Sequence, residues 1–451
     1  MKDEIKELLN SKKFKEAKIL LSDKQIVDIA DSIKDFDIDE IAKIFRLMNK
    51  DMAADLFSEL PLSVETELMS KLTDKEAVFL INEMFADDAA DVLDEMPANI
   101  VRRILKGCDK DTRSDINKLL NYPEDSAGSV MTVEYAELKS TLTIKQAISI
   151  LRKEIDEYET INVCYVVDDK RKLVGHIKLK DILLANPKDI IVDVATQDTI
   201  CVKTTTDQEE VGKLFKKYDL TVMPVVDSED RLVGIITIDD IMDIMEEETT
   251  EDIEKMAAIS PSDKPYLEVS VWQTWKARIP WLLLLMISAT FTGQIISKFE
   301  TALAILPILT AYIPMLMDTG GNAGSQASVT IIRSLSLNQI NFKDIRKVIW
   351  KELRVSIMIG LTLALANFLK LILIDQILLK NSAITYSIAG VICLTIFMIV
   401  VVAKFIGCTL PILTKKLGFD PTVMASPFIT TIVDALGLIV YFQVATHLLG
   451  L

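Results

Sequence analysis

Three oxygen-bearing side chains recur at helical spacing inside an apolar segment near the end of the chain. Ser426, Thr430 and Asp434 follow one another at intervals of four residues, which places them on one face of a helix. A carboxylate at membrane depth costs about 2.5–3.5 kcal/mol on insertion scales, so such a residue usually faces a water-filled path or a bound ion. The spacing therefore predicts a strip of oxygen atoms, with one negative charge, along a cation pathway.

A second apolar segment, Pro314–Thr330, contains a glycine-rich stretch that would line the same pathway. Its centre reads Thr319-Gly-Gly-Asn-Ala-Gly-Ser-Gln. Glycine leaves room for another backbone or lets carbonyl groups face an ion, and Asn322 and Gln326 add neutral oxygens. The predicted ion site comprises Gly321, Asn322, Ser426, Thr430 and Asp434.

Each of these features also has an explanation that needs no ion. Small residues at this spacing favour close helix packing, and a salt bridge with Lys404, which also lies in an apolar segment, would neutralise Asp434. Asp318 is a second acid at membrane depth, which either lines a vestibule or caps a break in its helix. The sequence leaves these alternatives open.

The ligand types in the strip favour a hard cation. The strip contains no His or Cys, which disfavours zinc and copper, whereas carboxylate and carbonyl oxygens suit Mg²⁺ or Ca²⁺. One carboxylate neutralises only half the charge of a dication. A homodimer with a two-fold axis would supply a pair of carboxylates.

The charge is divided unequally along the 451 residues. The chain is densely charged and acidic to about Ser270 and predominantly apolar thereafter, and its formal net charge of -16 argues against nucleic acid as a partner. The presence of only two His residues and the absence of a Walker A sequence argue against an enzyme. We therefore expect a membrane protein with a large soluble part, and no enzyme.

The apolar half is long enough for five membrane spans. We predict them near residues 281–297, 302–332, 355–375, 382–412 and 422–449. Six Lys or Arg residues fall between Arg333 and Arg354, and Lys415 and Lys416 follow the fourth span. By the positive-inside rule these loops are cytoplasmic. The N-terminus is then cytoplasmic and the C-terminus lies outside the cytoplasmic membrane.

The first 125 residues have apolar positions at helical spacing and contain an internal repeat. Residues 51–61 match residues 87–97 at an offset of 36, and each copy reads as a short helix stopped by Pro. Repeats of this length predict stacked helices in a small superhelix. In the second copy Asp87, Asp91 and Asp94 share a face, which is either a solvated surface or part of a cation site.

A tandem repeat with an offset of 59 residues occupies the middle of the chain. Residues 166–182 and 225–241 each read as a strand, a charged turn, a strand and a helix start. This pattern closely resembles a pair of CBS domains, an α/β fold that often binds adenine nucleotides. The ribose-contacting pattern of such domains, a hydroxyl residue three before an Asp, is met by Thr237 and Asp240, so the resemblance implies a possible ATP site there.

Carboxylates are concentrated at the end of the second repeat and beyond it. Between Asp207 and Lys255 there are sixteen acidic residues and five basic ones. Helix capping explains one or two of them. Because carboxylates packed this closely repel one another, the surplus predicts a divalent cation site, although a solvated acidic helix is the alternative.

The order of these parts resembles the MgtE family of magnesium channels and transporters. The motifs PxLxxTGGNAGxQ and TxxDxxG match that family, and the resemblance covers essentially the whole chain. It implies four parts: a superhelical α-helical N-domain at 1–128, the CBS pair at 129–245, a connecting (plug) helix at 246–275 and an all-α five-helix transmembrane domain at 276–451.

The resemblance further implies a homodimer in the lipid bilayer with Asp434 as the selectivity site. Cytosolic Mg²⁺ would bind regulatory carboxylates and hold the pore shut. By motif matching these are Asp87, Asp88, Asp91, Asp207, Glu209, Asp219, Asp240, Asp243, Glu248, Glu251 and Asp252. The alternative function is a CBS-regulated secondary transporter of another divalent cation or a small solute, and a receptor without flux is a third possibility.

Overall fold

The protein divides into two compact units, Met1–Glu246 and Glu247–Leu451. The structure, a computed structural model, describes residues 1–262, 266–267, 269–381, 383–424 and 426–450. The predicted connecting helix, which we expect to be interrupted at Pro261–Pro265, extends over positions outside these ranges, as does the predicted fourth span at Ser382. The four-part division at residues 128, 245 and 275 stays a prediction.

The first unit begins with short helices that stack in two rows. They are α1 Lys2–Asn10, α2 Phe14–Ser22, α3 Ile26–Ile33, α4 Ile38–Leu47, α5 Lys50–Ser58, α6 Leu62–Lys71, α7 Asp74–Glu83, α8 Ala86–Asp94, α9 Ala98–Gly107 and α10 Lys110–Leu119. Helix α5 packs on α7 and α7 on α9, whereas α6 packs on α8 and α8 on α10. This alternation is the predicted superhelical stack.

The internal repeat fixes equivalent core positions in α5 and α8. The offset of 36 maps Leu56 onto Val92 and Phe57 onto Leu93, and all four side chains are at most 1% exposed. A proline then precedes the next helix in each copy, since Pro61 and Pro97 are the N-cap residues of α6 and α9. The repeat thus sets both the buried face and the helix length.

The two CBS-like repeats each form a three-stranded sheet with helices. The elements are β1 Tyr135–Lys139, α11 Ile144–Lys153, β2 Thr160–Val167, β3 Leu173–Lys178, α12 Leu179–Leu184, α13 Ile191–Val194, β4 Val202–Lys203, α14 Gln208–Tyr218, β5 Val222–Val226, β6 Leu232–Thr237 and α15 Ile238–Met256. In each sheet the first strand is parallel to the second, and the second and third are antiparallel. The predicted hairpins are therefore β2–β3 and β5–β6.

Helix α15 differs from the predicted connecting helix. It starts inside the second repeat at Ile238 and ends at Met256, and the next helix begins only at Val271. Ser270 caps that helix by accepting a hydrogen bond from the Gln273 amide. The predicted helix at 246–275 is thus helical at its two ends, with described non-helical residues between them.

The second unit consists of long apolar helices. They are α16 Val271–Lys298, α17 Glu300–Ile305, α18 Ile313–Ser336, α19 Ile345–Lys370, α20 Tyr386–Lys416 and α21 Ser426–Leu449. Within the described residues, four stretches are long and apolar enough to cross a membrane: Val271–Lys298, Phe342–Leu378, Tyr386–Lys416 and Pro421–Leu449. Four of the five predicted spans correspond to these stretches.

The predicted second span, 302–332, is broken into shorter elements. Helix α17 is followed by a 3₁₀ turn at Pro307–Tyr312 and then by α18. Pro307 opens the turn and Pro314 lies in the first turn of α18, where the missing amide proton costs no helical hydrogen bond. Helix α18 contains many polar residues and is not one of the four apolar stretches, so a fifth span stays a prediction.

Helix α18 nevertheless lies in the interior of the second unit. It packs against both α20 and α21. A Cβ atom on Gly407 would lie 2.2 Å from the carbonyl oxygen of Gly324, and one on Gly320 would lie 2.5 Å from Ile399 Cγ2. Close helix packing, the alternative explanation of the glycine-rich stretch, therefore holds for Gly320 and Gly324.

Candidate functional site

Helices α18 and α21 run antiparallel and bring hydroxyl groups together. Ser426 Oγ donates a hydrogen bond to Ser325 Oγ at 3.0 Å, and Ser325 Oγ lies 3.4 Å from Thr430 Oγ1. A Cβ atom on Gly321 would lie 2.9 Å from Thr430 Cγ2, so the absence of a side chain permits this approach. Three of the predicted site residues, Gly321, Ser426 and Thr430, thus meet at one interface.

Ser325 belongs to this interface although the sequence analysis did not select it. Its spacing of four residues from Gly321 places both on the same face of α18. This spacing is the feature of the sequence from which Ser325 could have been predicted. Ser325 extends the predicted strip from one helix to two.

Asp434 continues the strip one helical turn beyond Thr430. Its side chain is partly buried, and Oδ1 is a buried atom without a hydrogen-bond partner in the described part of the chain. Asp318 of α18, which is exposed, acts on Asp434 as a like charge. Two carboxylates therefore adjoin the end of the hydroxyl strip, and one of them has an unsatisfied buried oxygen.

Lys404 does not neutralise Asp434. Its ammonium group pairs with Glu352 of α19, with Nζ 3.8 Å from Oε2. The alternative in which Asp434 forms a salt bridge with Lys404 is therefore wrong. An orphaned buried carboxylate oxygen costs free energy unless a ligand or water satisfies it.

Asn322 lies elsewhere on α18. Its side chain and that of Gln326 are exposed, one turn apart, whereas Gly321 and Ser325 face α21. One residue along a helix rotates a side chain by about 100°. Within a single chain Asn322 is thus not grouped with Ser426 and Thr430.

A second group of carboxylates lies in the first unit, where α8 meets the CBS pair. Asp87 and Asp88, in the first turn of α8, are repelled by the like charges of Asp240, on α15, and Glu134. Glu159, which precedes β2, is likewise repelled by Asp240, Asp88 and Glu134. Asp87, Asp88, Glu134, Glu159 and Asp240 are called the acidic cluster below.

Burial and mutual repulsion raise the pKa of these carboxyl groups. Burial is the larger cause for each: the pKa of Asp88 rises to about 6 and that of Glu159 to about 7. The pKa of Asp87 lies well above its usual value, and Asp87 Oδ1 is buried with no hydrogen-bond partner among the described residues. Carboxyl groups in this state favour a proton or a cation beside them.

Glu134 is held in the cluster by three hydrogen bonds. Oε1 accepts from the Ala86 amide at 3.2 Å, and Oε2 accepts from Thr132 Oγ1 at 2.8 Å and from the Val133 amide at 3.1 Å. Glu134 therefore connects the start of α8 to the segment before β1. Neither Glu134 nor Glu159 was predicted, because only the folded chain brings their separate segments together.

Two of the remaining predicted regulatory residues adjoin the cluster, since Asp243 repels Asp240, and Asp91 together with Asp88 repels Glu65. Asp207 and Asp219 are exposed at opposite ends of α14, and Glu209 pairs with Lys213. Asp91 and Asp243 are exposed on α8 and α15. The other three belong to the second unit: Glu248, Glu251 and Asp252.

Direct metal coordination requires closer carboxylates than these. Across the described ranges, no three Asp, Glu, His or Cys side chains converge closely enough to hold a metal ion. Thr237 Oγ1 donates to Asp240 Oδ2 at 2.5 Å, so the two predicted nucleotide contacts bond to one another. The cluster is thus an array of mutually repelling acids.

The chain matches known families along most of its length. Residues 313–444 match MgtE, described as a divalent cation transporter, and residues 24–125 match the MgtE intracellular N domain. Residues 127–188 and 191–247 each match a CBS domain.

Curated relatives agree with these matches. The chain is 37% identical over 341 residues to the magnesium transporter MgtE of Thermus thermophilus, which covers 76% of this chain and 74% of that protein. It is 35% identical over 331 residues to the magnesium transporter MgtE of Bacillus subtilis, covering 73% and 71%. The chain belongs to the MgtE family. The resemblance drawn from the motifs is therefore confirmed.

Two solved structures resemble the soluble part. The crystal structure of the cytosolic domain of the Mg²⁺ channel MgtE in complex with ATP has a TM-score of 0.52 at 32% identity, covering 54% of this chain and 100% of that one. The soluble part of a magnesium transporter also has a TM-score of 0.52, at 27% identity, covering 55% and 97%. Together with the MgtE family match, they confirm the predicted fold class of a multidomain, multi-pass membrane protein with a CBS pair.

Because of the acidic cluster, we expect the stability of the first unit to fall as pH rises. The raised pKa values mean that the folded state binds more protons than the unfolded chain, so stability declines through the interval between the unfolded and folded pKa values. For Glu159, with a folded pKa of about 7, we expect a soluble fragment of residues 1–246 to lose roughly 5–10 °C in Tm between pH 5 and pH 8.

Added Mg²⁺ should restore more of this Tm at pH 8 than at pH 5, because protons and the dication compete for the same carboxylates. Differential scanning fluorimetry measures both effects. Asp88→Asn should flatten the pH dependence, whereas Asp39→Asn, at an exposed position on α4, should leave it unchanged. A Tm that rises over this pH interval would contradict the prediction.

Proposed function

We propose that the chain is a homodimeric Mg²⁺ channel of the cytoplasmic membrane that cytosolic Mg²⁺ closes. The observation that carries the proposal is the unsatisfied, buried Oδ1 of Asp434 beside a strip of hydroxyl groups, while Lys404 pairs with Glu352. Curated relatives of more than 30% identity are named magnesium transporters. The chain is assigned transport and no catalytic reaction.

The ion site suits a hydrated dication. Mg²⁺ releases its water reluctantly and is often bound through one or two carboxylates with several waters retained. Asp434 would accept hydrogen bonds from those waters, and the hydroxyl groups of Ser426, Thr430 and Ser325 would continue the polar path. Two protomers would present two Asp434 carboxylates, which balance the charge of one ion.

Asn322 enters this proposal through the second protomer. Its exposed position on α18 leaves it available to face a two-fold axis, where it would add a neutral oxygen. A homodimer therefore accounts both for the paired charge and for an exposed amide at membrane depth. Size-exclusion chromatography with light scattering in detergent measures the assembly state, and a monomer would contradict this part of the proposal.

The acidic cluster supports regulation by the transported ion. Without a cation its carboxylates repel one another, and α8 is pushed from α15. Mg²⁺ that keeps its waters can bridge carboxylates spaced too widely for direct coordination. Reciprocal linkage then requires that the closed state bind cytosolic Mg²⁺ more tightly than the open state.

Asp240 is assigned to cation binding in preference to ATP. Thr237 and Asp240 satisfy each other, and the surrounding carboxylates would repel a phosphate group. ATP at the CBS pair stays part of the proposal, because a solved relative with 32% identity holds ATP in its cytosolic domain. A competition experiment with ATP and Mg²⁺ on residues 1–246 tests this assignment.

A contact at the end of α15 supports coupling between the connecting helix and the ion site. Lys255 Nζ lies 3.2 Å from Asp420 Oδ2 and also pairs with Glu251 one turn earlier. Asp420 accepts a hydrogen bond from the Thr422 amide at 2.8 Å, just before α21 begins. The ammonium group thus ties α15 to the segment that leads into Ser426.

Replacing Lys255 by Met should weaken closure. The pair is partly exposed, so its loss is worth about 0.5–1 kcal/mol, and we expect residual flux at high internal Mg²⁺ to rise about two- to fivefold. Flux at low internal Mg²⁺ should stay the same. Lys347→Met, which breaks an exposed pair with Asp344, is the matched control. Unchanged residual flux in Lys255→Met would remove the contact from the gating proposal.

Purified protein in liposomes tests the function itself. With an Mg²⁺ indicator inside, we expect uptake driven by the ion gradient and inside-negative potential, and suppression when the cytosolic side holds millimolar Mg²⁺. Transport that needs a coupled ion, or that carries a different cation or an organic solute in place of Mg²⁺, would favour the alternative of a CBS-regulated secondary transporter. Absence of any flux would favour a receptor.

The proposed orientation follows the distribution of basic residues. The loops after α18 and α20 carry Lys and Arg, which assigns them, together with residues 1–246, to the cytoplasm and the C-terminus to the outside. Protease digestion of right-side-out vesicles tests this, since residues 1–246 should be protected.

A further inference from the structure

Lys404 is a buried cation in the apolar half of the chain. It lies on α20 and is 5% exposed, and no other lysine in the described ranges is classed as buried. A charged side chain at membrane depth is costly and usually faces a functional path or a partner. A lysine at this position therefore requires an explanation beyond helix packing.

Its partner is Glu352 on α19. The two side chains are 6% and 14% exposed, and the charged atoms are 3.8 Å apart. Together they carry no net charge, whereas removal of one partner leaves an uncompensated charge in a low-dielectric interior, which is strongly unfavourable. The pair is thus electrically silent only while both members are present.

The pair lies beside the helix that lines the proposed ion path. The residue before Lys404, Ala403, places its carbonyl oxygen 3.3 Å from a Cβ position on Gly324, and Gly407 contacts the Gly324 carbonyl. Gly324 directly precedes Ser325 of the hydroxyl strip. The backbone of α20 around Lys404 is therefore in contact with α18 at the level of that strip.

We propose that Glu352 masks the positive charge of Lys404 and thereby keeps the inner half of the ion path permeable to a dication. The inference rests on the proposed function. Coulomb energy scales with the product of the charges, so an unmasked ammonium opposes a dication twice as strongly as a monovalent ion at the same distance. Glu352 acts only through its effect on the charge of Lys404, and it does not contact the ion.

A purely structural role would have a different signature. If the pair only ties α19 to α20, then removal of either partner, or of both, breaks the tie and reduces flux alike. If Glu352 masks Lys404, the two single substitutions differ, because only the loss of Glu352 exposes a positive charge. The neutral double variant then behaves like the wild type.

The test measures Mg²⁺ flux of the full-length protein in liposomes at low internal Mg²⁺. We expect Glu352→Gln to lower flux at least tenfold, Lys404→Met to keep it within threefold of the wild type, and the Glu352→Gln/Lys404→Met double variant to recover to within threefold. Glu300→Gln, at an exposed position in α17, is the matched control and should leave flux unchanged.

Three outcomes would overturn the inference: wild-type flux in Glu352→Gln, a double variant as impaired as Glu352→Gln, or loss of flux in Lys404→Met. If Glu352→Gln does not accumulate as folded protein, the exchanged pair Glu352→Lys/Lys404→Glu carries the test. If flux in the exchanged pair recovers to within threefold and Lys404→Met keeps its flux, the two results together support masking. Loss of flux in Lys404→Met overturns it. Failure of the wild type to carry Mg²⁺ would instead reject the proposed function.

Discussion

Replacing Asp434 by alanine is expected to lower Mg²⁺ flux at least a hundredfold while the folded protein still reaches the membrane. A carboxylate about 4 Å from an ion contributes roughly 4 kcal/mol per unit charge at an effective dielectric constant of 20, and about twice that for a dication. Part of this is spent on desolvation, yet each 1.4 kcal/mol retained corresponds to a tenfold change. Removal of the unsatisfied Oδ1 also removes its burial penalty, so we expect no loss of stability.

Two further substitutions separate the position of this charge from its mere presence. Asp434→Glu keeps the charge and should retain more flux than Asp434→Ala. Asp318→Asn removes the neighbouring acid, which is exposed on α18, and should reduce flux far less than Asp434→Ala. Mg²⁺ indicator uptake in liposomes, normalised to reconstituted protein, measures all three. Robust uptake by Asp434→Ala would reject the assignment of Asp434 as the ion site.

The sequence predicted this strip because local spacing determines it. Residues four apart on one helix share a face in any fold, so Ser426, Thr430 and Asp434 needed no tertiary information. The CBS-like hairpins were predictable for a related reason, since two copies in register give the same pattern twice. The repeat in α5 and α8 was equally local.

Contacts between separate segments could not be predicted in this way. Glu134 and Glu159 lie close to Asp88 only because α8, the segment before β1 and the start of β2 meet in the folded unit. Nothing in the spacing of these residues indicates that meeting. The partner of Lys404 was missed for the same reason, because Glu352 lies on another helix.

The element boundaries of the second predicted span and the direction of the Asn322 side chain needed the structure. The predicted second span contains Pro307 and Pro314, but only the structure shows that they begin new elements and divide it into α17, a 3₁₀ turn and α18. Asn322 follows Gly321 directly, and because neighbouring residues on a helix point about 100° apart, it faces away from Thr430 within one chain. Element boundaries and side-chain direction therefore needed the structure.

Deleting the cytosolic part should produce a channel that no longer closes. We expect a chain that starts at Ser270 to carry Mg²⁺ at the same rate whether internal Mg²⁺ is micromolar or millimolar, whereas flux through the full-length protein should fall at least tenfold. Starting at Ser270 keeps the residue that caps α16 and its hydrogen bond with Gln273. The deletion removes both the acidic cluster and the contact of Lys255 with Asp420.

The same deletion combined with Asp434→Ala is the control, since flux that persists in it would come from a leak and not from the proposed path. Flux through the truncated chain that still falls at millimolar internal Mg²⁺ would locate the sensor in residues 270–451.

Deletion also separates two effects that substitution within the cluster combines. Replacing Asp87 and Asp88 by Asn would remove carboxylates that attract Mg²⁺, which favours the open state. It would also remove the mutual repulsion of the carboxylates, which favours the closed state. The net sign of such a variant depends on which of these terms is larger. Deletion removes the device that either term acts on, so it has only one expected direction: loss of closure.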